Sequence, residues 1–348
     1  MPIILGINLL IGEIIVTTFM HPKKILVINV ARFGDTLLIT PILRALKKKW
    51  PEASLDVFAH RKTASILENS LYINSIKPFS KNKAVWAKIF AQKQYDLAIV
   101  YGTDKALVDY AKCVSSMTVS FSHESGDSHW LTVAPPERLM SAQQERALLV
   151  EAIGVTISEW QLDYVATADE IQVAKEFLTQ QGITDKKLIG FQLQSFPAKS
   201  YRDWPVRYFE EIAHRICKEW PNSHILLLGG PEGKSAADAL AQKLGSIATS
   251  LAGKLTMRQN AAVMTQLSLY LGVDTGPTHL AGALGIPMVA MYHCFHPGRY
   301  LAPQQHPQLI VIEHPVDYAH ASREEPMSKI SIETVWTALK ALLSKSNQ

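Results

Sequence analysis

The hydrophobic positions of this chain come in two alternating forms. Short, continuous apolar runs such as residues 24–30 and 95–101 have the length and β-branched content of strands buried on both faces of a parallel sheet. Between such runs lie longer stretches in which apolar positions recur every three to four residues, as in residues 37–50, which is typical of helices packed on a sheet. Because strands and helices alternate, the sequence predicts an open, doubly wound α/β architecture.

The alternation occurs twice along the chain. It weakens around residues 156–168, where we place an interdomain linker, and then begins again. We therefore predict two Rossmann-like domains, residues 21–163 and 164–330, facing a cleft, and a C-terminal helix within residues 331–348. The polar residues 122–138 are predicted to form a long loop or lid.

The first twenty residues do not follow this pattern. Residues 3–20 are almost wholly apolar, but Glu13 lies near the middle, where a carboxylate would be costly in a bilayer. The stretch also lacks the basic start and the cleavage site of a signal peptide. It could be a membrane-associating helix, an element packed on the body, or an extension upstream of a natural start at Met20. We favour the last, because Met20 leads almost directly into the first strand.

Composition and charge narrow the functional class. A content of 47% hydrophobic and 19% charged residues is that of a globular protein. The net charge of +4 comes from scattered cations, so binding to nucleic acid is not expected. Cys113, Cys217 and Cys294 show no metal-binding spacing, which predicts reduced thiols, a cytoplasmic protein and no metal site.

Residues 269–292 are the most informative stretch, with an order of strand, polar turn, helix and strand. The turn is Asp274-Thr-Gly-Pro-Thr-His279, and the helix is predicted at residues 280–284. Ligands of parallel sheets bind at the carboxyl ends of strands, and free amides at a helix start favour phosphate. The alternative is that Asp274 and Thr275 only cap the helix.

Three further polar turns follow predicted strands. In Arg32-Phe-Gly-Asp35, Asp35 is either a helix N-cap or a general base that takes a proton from a hydroxyl. In a second turn, Lys199 and Arg202 are either solvated or bind phosphate. The glycine-rich turn at residues 229–233 could accommodate a nucleotide, although it is neither a GxGxxG fingerprint nor a Walker A motif.

Two motifs, Arg32-Phe-Gly-Asp-Thr-Leu-Leu-Ile-Thr-Pro-Ile-Leu-Arg-Ala-Leu46 and Gly272-Val-Asp-Thr-Gly-Pro-Thr-His-Leu-Ala-Gly-Ala-Leu-Gly-Ile-Pro287, stand in this order along the chain. Together they resemble glycosyltransferase family nine, the lipopolysaccharide heptosyltransferases, over the chain from about residue 23 onward. The resemblance implies a GT-B fold with the acceptor on the N-terminal domain and the nucleotide sugar on the C-terminal one. It also implies an inverting transferase that needs no metal or other cofactor and commonly uses ADP-heptose.

The resemblance further implies roles for single residues. Asp35 matches the carboxylate proposed as the catalytic base. Arg202 replaces the lysine of the family's Lys-x-Trp-Pro, which keeps the charge and permits bidentate phosphate contact, although Lys199 could serve instead. The residues predicted to bind the donor are Lys199, Arg202, Glu232, Asp274, Thr275, Gly276, Thr278 and His279.

One loop departs from the family pattern. After residue 292 the family commonly continues Phe-Gly-Pro-Thr, whereas this chain has His293-Cys-Phe-His-Pro-Gly-Arg299. His293, His296 and Arg299 are therefore candidate contacts to the donor sugar, which need not be the usual heptose. The alternative is that they only reshape the loop.

The predicted reaction is a direct displacement. Asp35 removes the proton of an acceptor hydroxyl, and Arg202 or Lys199 stabilises the leaving diphosphate. The implied acceptor is a lipopolysaccharide core or a related lipid-linked glycan at the cytoplasmic face of the inner membrane, with peripheral membrane contact. Three alternatives stay open: a nucleotide-sugar epimerase, a non-catalytic module that binds nucleotides or carbohydrates, and a membrane-anchored assembly protein that uses residues 3–20.

Overall fold

A computed structural model describes residues 21–344 of the chain. The N-terminal stretch, and with it the three interpretations of residues 3–20, lies outside the described residues. The chain divides into two compact units between Trp160 and Gln161, and each unit holds one six-stranded parallel sheet. Within residues 21–344, no helix is both long enough and apolar enough to span a bilayer.

The N-terminal unit has the strand order β3-β2-β1-β4-β5-β6. Its strands are β1 (Lys24–Asn29), β2 (Ser54–His60), β3 (Ser75–Phe79), β4 (Tyr95–Val100), β5 (Ser115–Phe121) and β6 (Trp130–Val133). Its helices are α1 (Phe33–Leu37), α2 (Thr40–Lys49), α3 (Lys81–Ala87), α4 (Lys105–Val114) and α5 (Ala142–Glu151).

The C-terminal unit has the strand order β12-β11-β10-β7-β8-β9. Its strands are β7 (Lys187–Gln192), β8 (Ser223–Leu228), β9 (Ala248–Ser250), β10 (Leu269–Val273), β11 (Met288–Tyr292) and β12 (Leu309–Glu313). Its helices are α6 (Ala168–Gln180), α7 (Val206–Glu219), α8 (Lys234–Leu244), α9 (Met257–Met264), α10 (Gly276–Ala283), α11 (Gly298–Leu301) and α12 (Ile332–Leu343).

The strand β1 shows how the apolar runs become sheets covered on both faces. Successive side chains of a strand point to opposite faces. Accordingly, Ile25 and Val27 belong to one hydrophobic cluster, whereas Leu26 and Ile28 belong to another. All four are buried, which is why the run is continuously apolar rather than alternating.

When the strands of each unit are numbered from one to six along the chain, both sheets have the order 3-2-1-4-5-6. The order reverses between the first and fourth strands, which are β1 and β4 in one unit and β7 and β10 in the other. Connections leave these neighbouring strands toward opposite sides, and this opens a crevice at their carboxyl ends where doubly wound proteins bind ligands. Asp35, Arg202 and Asp274 follow three of these four strands, namely β1, β7 and β10.

Three details differ from the sequence prediction. Residues 122–138 are not only a loop, because they contain β6, an edge strand with half-buried residues and no continuous apolar run. The edge strand β12 was also missed, although its residues 309–312 form a short continuous apolar run. The helix predicted at 280–284 begins earlier, at Gly276, because Pro277 fits the first turn of a helix, where its missing N–H costs nothing.

Candidate active site

Asp35 lies at the switch point of the N-terminal sheet. It belongs to the first turn of α1, the short helix that follows β1. The N-cap position is held by Arg32, and no side chain caps this helix. The interpretation of Asp35 as an N-cap is therefore wrong, and its carboxylate is available for other contacts.

Arg146 is the partner of Asp35, and no pattern in the sequence marks it. Its Nη2 lies 2.7 Å from Asp35 Oδ1, and its Nη1 donates to the carbonyl of Ala142 at 2.7 Å. The Asp35 side chain stays 40% exposed. Within residues 21–344 the second carboxylate oxygen of Asp35 makes no hydrogen bond, so one oxygen is fixed by Arg146 and the other is free to accept.

A cavity of about 310 Å³ adjoins this pair and is also lined by Asn29, Tyr101 and Thr103. Asn29 ends β1 and is only 2% exposed, yet its Nδ2 has no hydrogen-bond partner among the described residues. Burial raises the pKa of Tyr101, whose hydroxyl donates to the carbonyl of Arg146 at 3.2 Å. The cavity thus offers a carboxylate, a guanidinium and an unused amide donor.

The corresponding position of the C-terminal unit holds a buried ion pair. Arg202, from the loop after β7, pairs through Nη1 with Asp274, which follows β10 directly. Both side chains are less than 8% exposed. The Nε of Arg202 has no hydrogen-bond partner within residues 21–344, so this guanidinium keeps one buried donor unused.

The loop that carries Arg202 is held by its flanking residues. Ser195 donates its backbone N–H to Asp203 Oδ1 at 2.7 Å, and its hydroxyl lies 2.7 Å from the same oxygen. Trp204 is buried, and its indole N–H donates to the carbonyl of Ile330 at 2.9 Å. The tryptophan and the aspartate therefore set the loop conformation, while Arg202 is presented at the carboxyl end of the sheet.

The start of α10 differs from the prediction. Thr275 occupies the N-cap position without a side-chain cap, and Asp274 is engaged with Arg202, so the capping interpretation is wrong. The amides of Thr278 and His279 are not free, because they donate to the carbonyl of Thr275 at 3.1 and 3.4 Å. The amide that this helix start presents outward is that of Gly276.

The other predicted residues of this turn are largely enclosed. The hydroxyl of Thr278 is buried and lies 2.5 Å from the carbonyl of Val273 and 2.9 Å from the hydroxyl of Tyr270. His279 is also buried. Glu232, in contrast, is exposed in the single helical turn Pro231–Gly233 after β8.

The three candidates of the unusual loop after β11 have different surroundings. His293 is fully buried, with Nε2 2.8 Å from the carbonyl of Glu325 and Nδ1 accepting from the amide of Phe295 at 3.1 Å. Burial lowers its pKa, consistent with a neutral ring. Arg299 is exposed, with its guanidinium 5.0 Å from the ring of Tyr300.

His296 lies among cations. Its Nε2 is 2.8 Å from the hydroxyl of Tyr201, and the guanidinium groups of Arg202 and Arg323 lie 5.6 and 5.7 Å from the Tyr201 ring. Burial, followed by the charges of Arg202 and Lys199, lowers the pKa of His296 to about 4. We call Lys199, Arg202 and Arg323 the cationic cluster. Burial and the positive potential of this cluster together favour the neutral form of His296, and the potential also favours an anionic ligand.

Tyr201 and Arg323 were not among the predicted residues. Tyr201 stands between Lys199 and Arg202 in the loop after β7, so its position could have suggested a role at the site. Arg323 lies in a segment without a clear pattern. Within residues 21–344, no group of three or more His, Cys, Asp or Glu side chains is arranged to hold a metal ion.

Comparison with known proteins decides the family. The model of glycosyltransferase family 9 (heptosyltransferase) matches residues 87–331, well over half of the chain. The chain belongs to glycosyltransferase family 9. This confirms the resemblance drawn from the two motifs, and with it a glycosyltransferase of the heptosyltransferase family of lipopolysaccharide core biosynthesis.

Relatives of this family 9 chain are distant but extend over most of its length. Lipopolysaccharide heptosyltransferase 3 of Escherichia coli is 24% identical over 74% of this chain and 80% of its own. Lipopolysaccharide core heptosyltransferase OpsX of Haemophilus influenzae is 21% identical over 92% and 91%.

Solved structures agree with the fold of the family 9 chain. A family 9 glycosyltransferase from Veillonella parvula superposes with a TM-score of 0.80 at 22% identity, covering 93% of this chain and 97% of its own. ADP-heptose lps heptosyltransferase II of E. coli gives 0.75 at 19% identity, covering 93% and 100%. The predicted α/β architecture of the GT-B class is thereby confirmed.

Proposed function

We propose that this chain transfers a heptose from ADP-heptose to a hydroxyl group of a lipopolysaccharide core acceptor, with inversion at the anomeric carbon. Two structurally similar E. coli proteins are described with this type of donor, one as an ADP-heptose heptosyltransferase and the other in complex with ADP. The observation that carries the proposal is Arg202. Its guanidinium is buried at the carboxyl end of the sheet, and its Nε donor is unused within the described residues.

The donor's diphosphate fits this position on chemical grounds. Nη1 of Arg202 donates to Asp274. Its Nε therefore remains for a charge-assisted hydrogen bond to a phosphate oxygen. The start of α10 adds the Gly276 amide and the positive end of the helix dipole. Lys199 and Arg323 contribute further positive charge to the cluster. Removing one preorganised donor of this kind typically slows turnover by about 10²- to 10³-fold.

The base in this proposal is Asp35. Arg146 orients one of its carboxylate oxygens, and the other accepts the proton of the acceptor hydroxyl. The hydroxyl oxygen forms a bond to the anomeric carbon as the bond to the diphosphate breaks, and the electron pair leaves with ADP. The cationic cluster stabilises the negative charge that develops on the leaving ADP. We therefore propose that the reaction needs no metal and no further cofactor.

The acceptor would be held in the cavity beside Asp35. Asn29 supplies a buried amide donor without a partner in the described part of the chain, and a sugar hydroxyl or ring oxygen would satisfy it. We further propose that the acceptor is lipid-linked and that the protein acts at the cytoplasmic face of the inner membrane.

The unusual loop after β11 bears on the identity of the sugar. His293 has both ring nitrogens in hydrogen bonds within the protein, so we assign it to the loop rather than to the donor. His296 and Arg299 remain candidates, and of the two His296 lies beside the cationic cluster. A neutral His296 can exchange a hydrogen bond with a sugar hydroxyl.

A thermal-shift panel followed by a transfer assay tests the proposal. The panel compares ADP, ADP-heptose, ADP-glucose and UDP-glucose at equal concentration. We expect ADP and ADP-heptose to raise the Tm most, and mass spectrometry to detect heptose added to a truncated core acceptor only when both substrates are present.

Stabilisation by UDP-glucose alone would contradict the proposed donor. Conversion of the donor to an isomer without any acceptor would instead identify an epimerase.

A further inference from the structure

The helix α3 and the helical turn Lys88–Phe90 that follows it turn their small side chains toward the core and their large apolar side chains toward solvent. Ala84 is buried in the hydrophobic core of the N-terminal unit, and Ala87 and Ala91 pack against the same core. The small side chains thus face inward. Surface helices of globular proteins ordinarily turn their large apolar side chains in this direction.

The large apolar side chains of this segment face outward instead. Trp86 is 72% exposed and Phe90 is 86% exposed, and Val85 and Ile89 are also exposed. Positions i and i+4 share one side of a helix, so Val85 lies beside Ile89 and Trp86 beside Phe90. We call these four residues the apolar ridge. A contiguous exposed patch of this kind marks an interaction site.

The charge around the apolar ridge has one sign. Residues 77–94 contain five lysines and no aspartate or glutamate, and the lysines are Lys77, Lys81, Lys83, Lys88 and Lys93. Asp104 and Asp109 of the neighbouring helix region pair with Lys81 and Lys88. Lys77, Lys83 and Lys93 keep their charge without a carboxylate partner in the described part of the chain. The ridge is therefore flanked by uncompensated positive charge.

We propose that the apolar ridge docks on an anionic lipid bilayer, with Trp86 and Phe90 inserted at the headgroup level and the flanking lysines bound to anionic headgroups. Tryptophan and phenylalanine on one face of a basic helix are the composition of interfacial helices. Lysine side chains extend toward headgroups while their stems cover apolar surface. Residues 1–20 are a weaker candidate to cover the ridge, because their single carboxylate, Glu13, could compensate only one of the three unpaired lysines.

This inference deepens the proposed function, since it names the surface through which the chain would approach a lipid-linked acceptor. Its test is nevertheless separate, because vesicle binding requires neither donor nor acceptor. A chain that binds vesicles but transfers no heptose would refute only the proposed function, and an active chain that ignores vesicles would refute only this inference.

The experiment is co-sedimentation of the full chain with vesicles of phosphatidylethanolamine containing one third phosphatidylglycerol, compared with pure phosphatidylcholine. We expect preferential binding to the anionic vesicles that weakens as salt is raised. The variant Trp86→Gln/Phe90→Gln should reduce partitioning at least tenfold. Val173→Gln is the matched control, because Val173 is a similarly exposed apolar residue of the other unit.

Two further variants keep the proposal falsifiable. Lys83→Gln/Lys93→Gln should reduce binding to anionic vesicles by about threefold to tenfold, at roughly 1 kcal/mol per lysine near the surface or less. Ile14→Asn/Ile15→Asn should leave binding unchanged. The proposal is overturned if the chain binds neither vesicle, if the ridge variant partitions like the unchanged chain, or if only the variant in residues 1–20 loses binding.

Discussion

The two units place an Asp–Arg pair at the same topological position, but in opposite environments. In the N-terminal unit, Asp35 is 40% exposed beside an open cavity, and its Arg146 partner comes from a helix. In the C-terminal unit, Asp274 and Arg202 are both almost fully buried. One carboxylate is open to a ligand or to solvent, whereas the other is enclosed by the protein.

The two Asp–Arg pairs have the same residue types and differ in burial. An exposed carboxylate keeps much of its hydration, so its ion pair contributes little to stability. A buried ion pair has lost its solvation, and its attraction offsets this only while both partners are present. The C-terminal pair therefore fixes the loop that presents Arg202, and the N-terminal pair leaves one carboxylate oxygen of Asp35 available to a ligand.

The largest expected effect is on the exposed pair. Asp35→Asn should lower kcat by roughly 10²- to 10⁴-fold, because general-base catalysis is worth about that much. The Kd of ADP, measured by calorimetry, should not change, and neither should the Tm. Glu137→Gln, at an exposed carboxylate of the same unit, is the control. Turnover near that of the unchanged chain would remove Asp35 from the mechanism.

The buried pair should respond mainly in stability. Asp274→Ala leaves Arg202 buried without a counterion, and the expected loss in free energy of unfolding is about 3–5 kcal/mol. Asp35→Ala removes a half-exposed pair, for which about 1 kcal/mol or less is expected. Urea denaturation of both variants gives the two values. Equal losses would show that the environments of the pairs do not differ as described.

A conservative change at Arg202 sharpens the comparison. Arg202→Lys keeps the charge next to Asp274 but loses the planar set of donors, including Nε. We expect about a hundredfold fall in kcat/KM, the effect of losing one preorganised donor to a charged group. The Tm should fall by less than in Asp274→Ala. A kcat/KM equal to that of the unchanged chain would mean that Nε makes no contact in the transition state.

The smallest effect concerns pH. The pKa of His296 is lowered to about 4 in the folded chain. The unfolded chain therefore binds the proton more tightly, so the stability due to a neutral His296 is complete above about pH 6.5 and is lost as the pH falls toward 4. Between pH 7 and 4.5 the unchanged chain should lose about 1–2 kcal/mol more than His296→Gln, a value reduced for partial solvent access. Parallel pH profiles would contradict this.

The sequence predicts the central strands well, because strands buried on both faces must be continuously apolar. The prediction misses β6, whose half-buried edge positions carry no such signal, and it also misses β12, although residues 309–312 are a short apolar run. The turns that hold Asp35, Arg202 and Asp274 are predictable because each motif directly follows a predicted strand. Each turn therefore lies at the carboxyl end of a strand.

The contacts within the site are not predictable in this way. Asp35 and Arg146 are 111 positions apart, and Arg202 and Asp274 are 72 apart. Only the packing of the strands and helices brings each pair together, so an arginine inside a helical pattern, such as Arg146, looks like any solvated residue. The same holds for Asn29, whose unused amide becomes evident only when its burial is known.

The hydrogen bond from Trp204 to the carbonyl of Ile330 ties the Arg202 loop to a segment 126 positions later, immediately before the C-terminal helix α12. The Arg202 loop and helix α12 are therefore mechanically coupled. A C-terminal truncation or a bulky fusion that loosens α12 would be measured as a higher KM for the donor, and could be mistaken for a defect in the binding residues themselves.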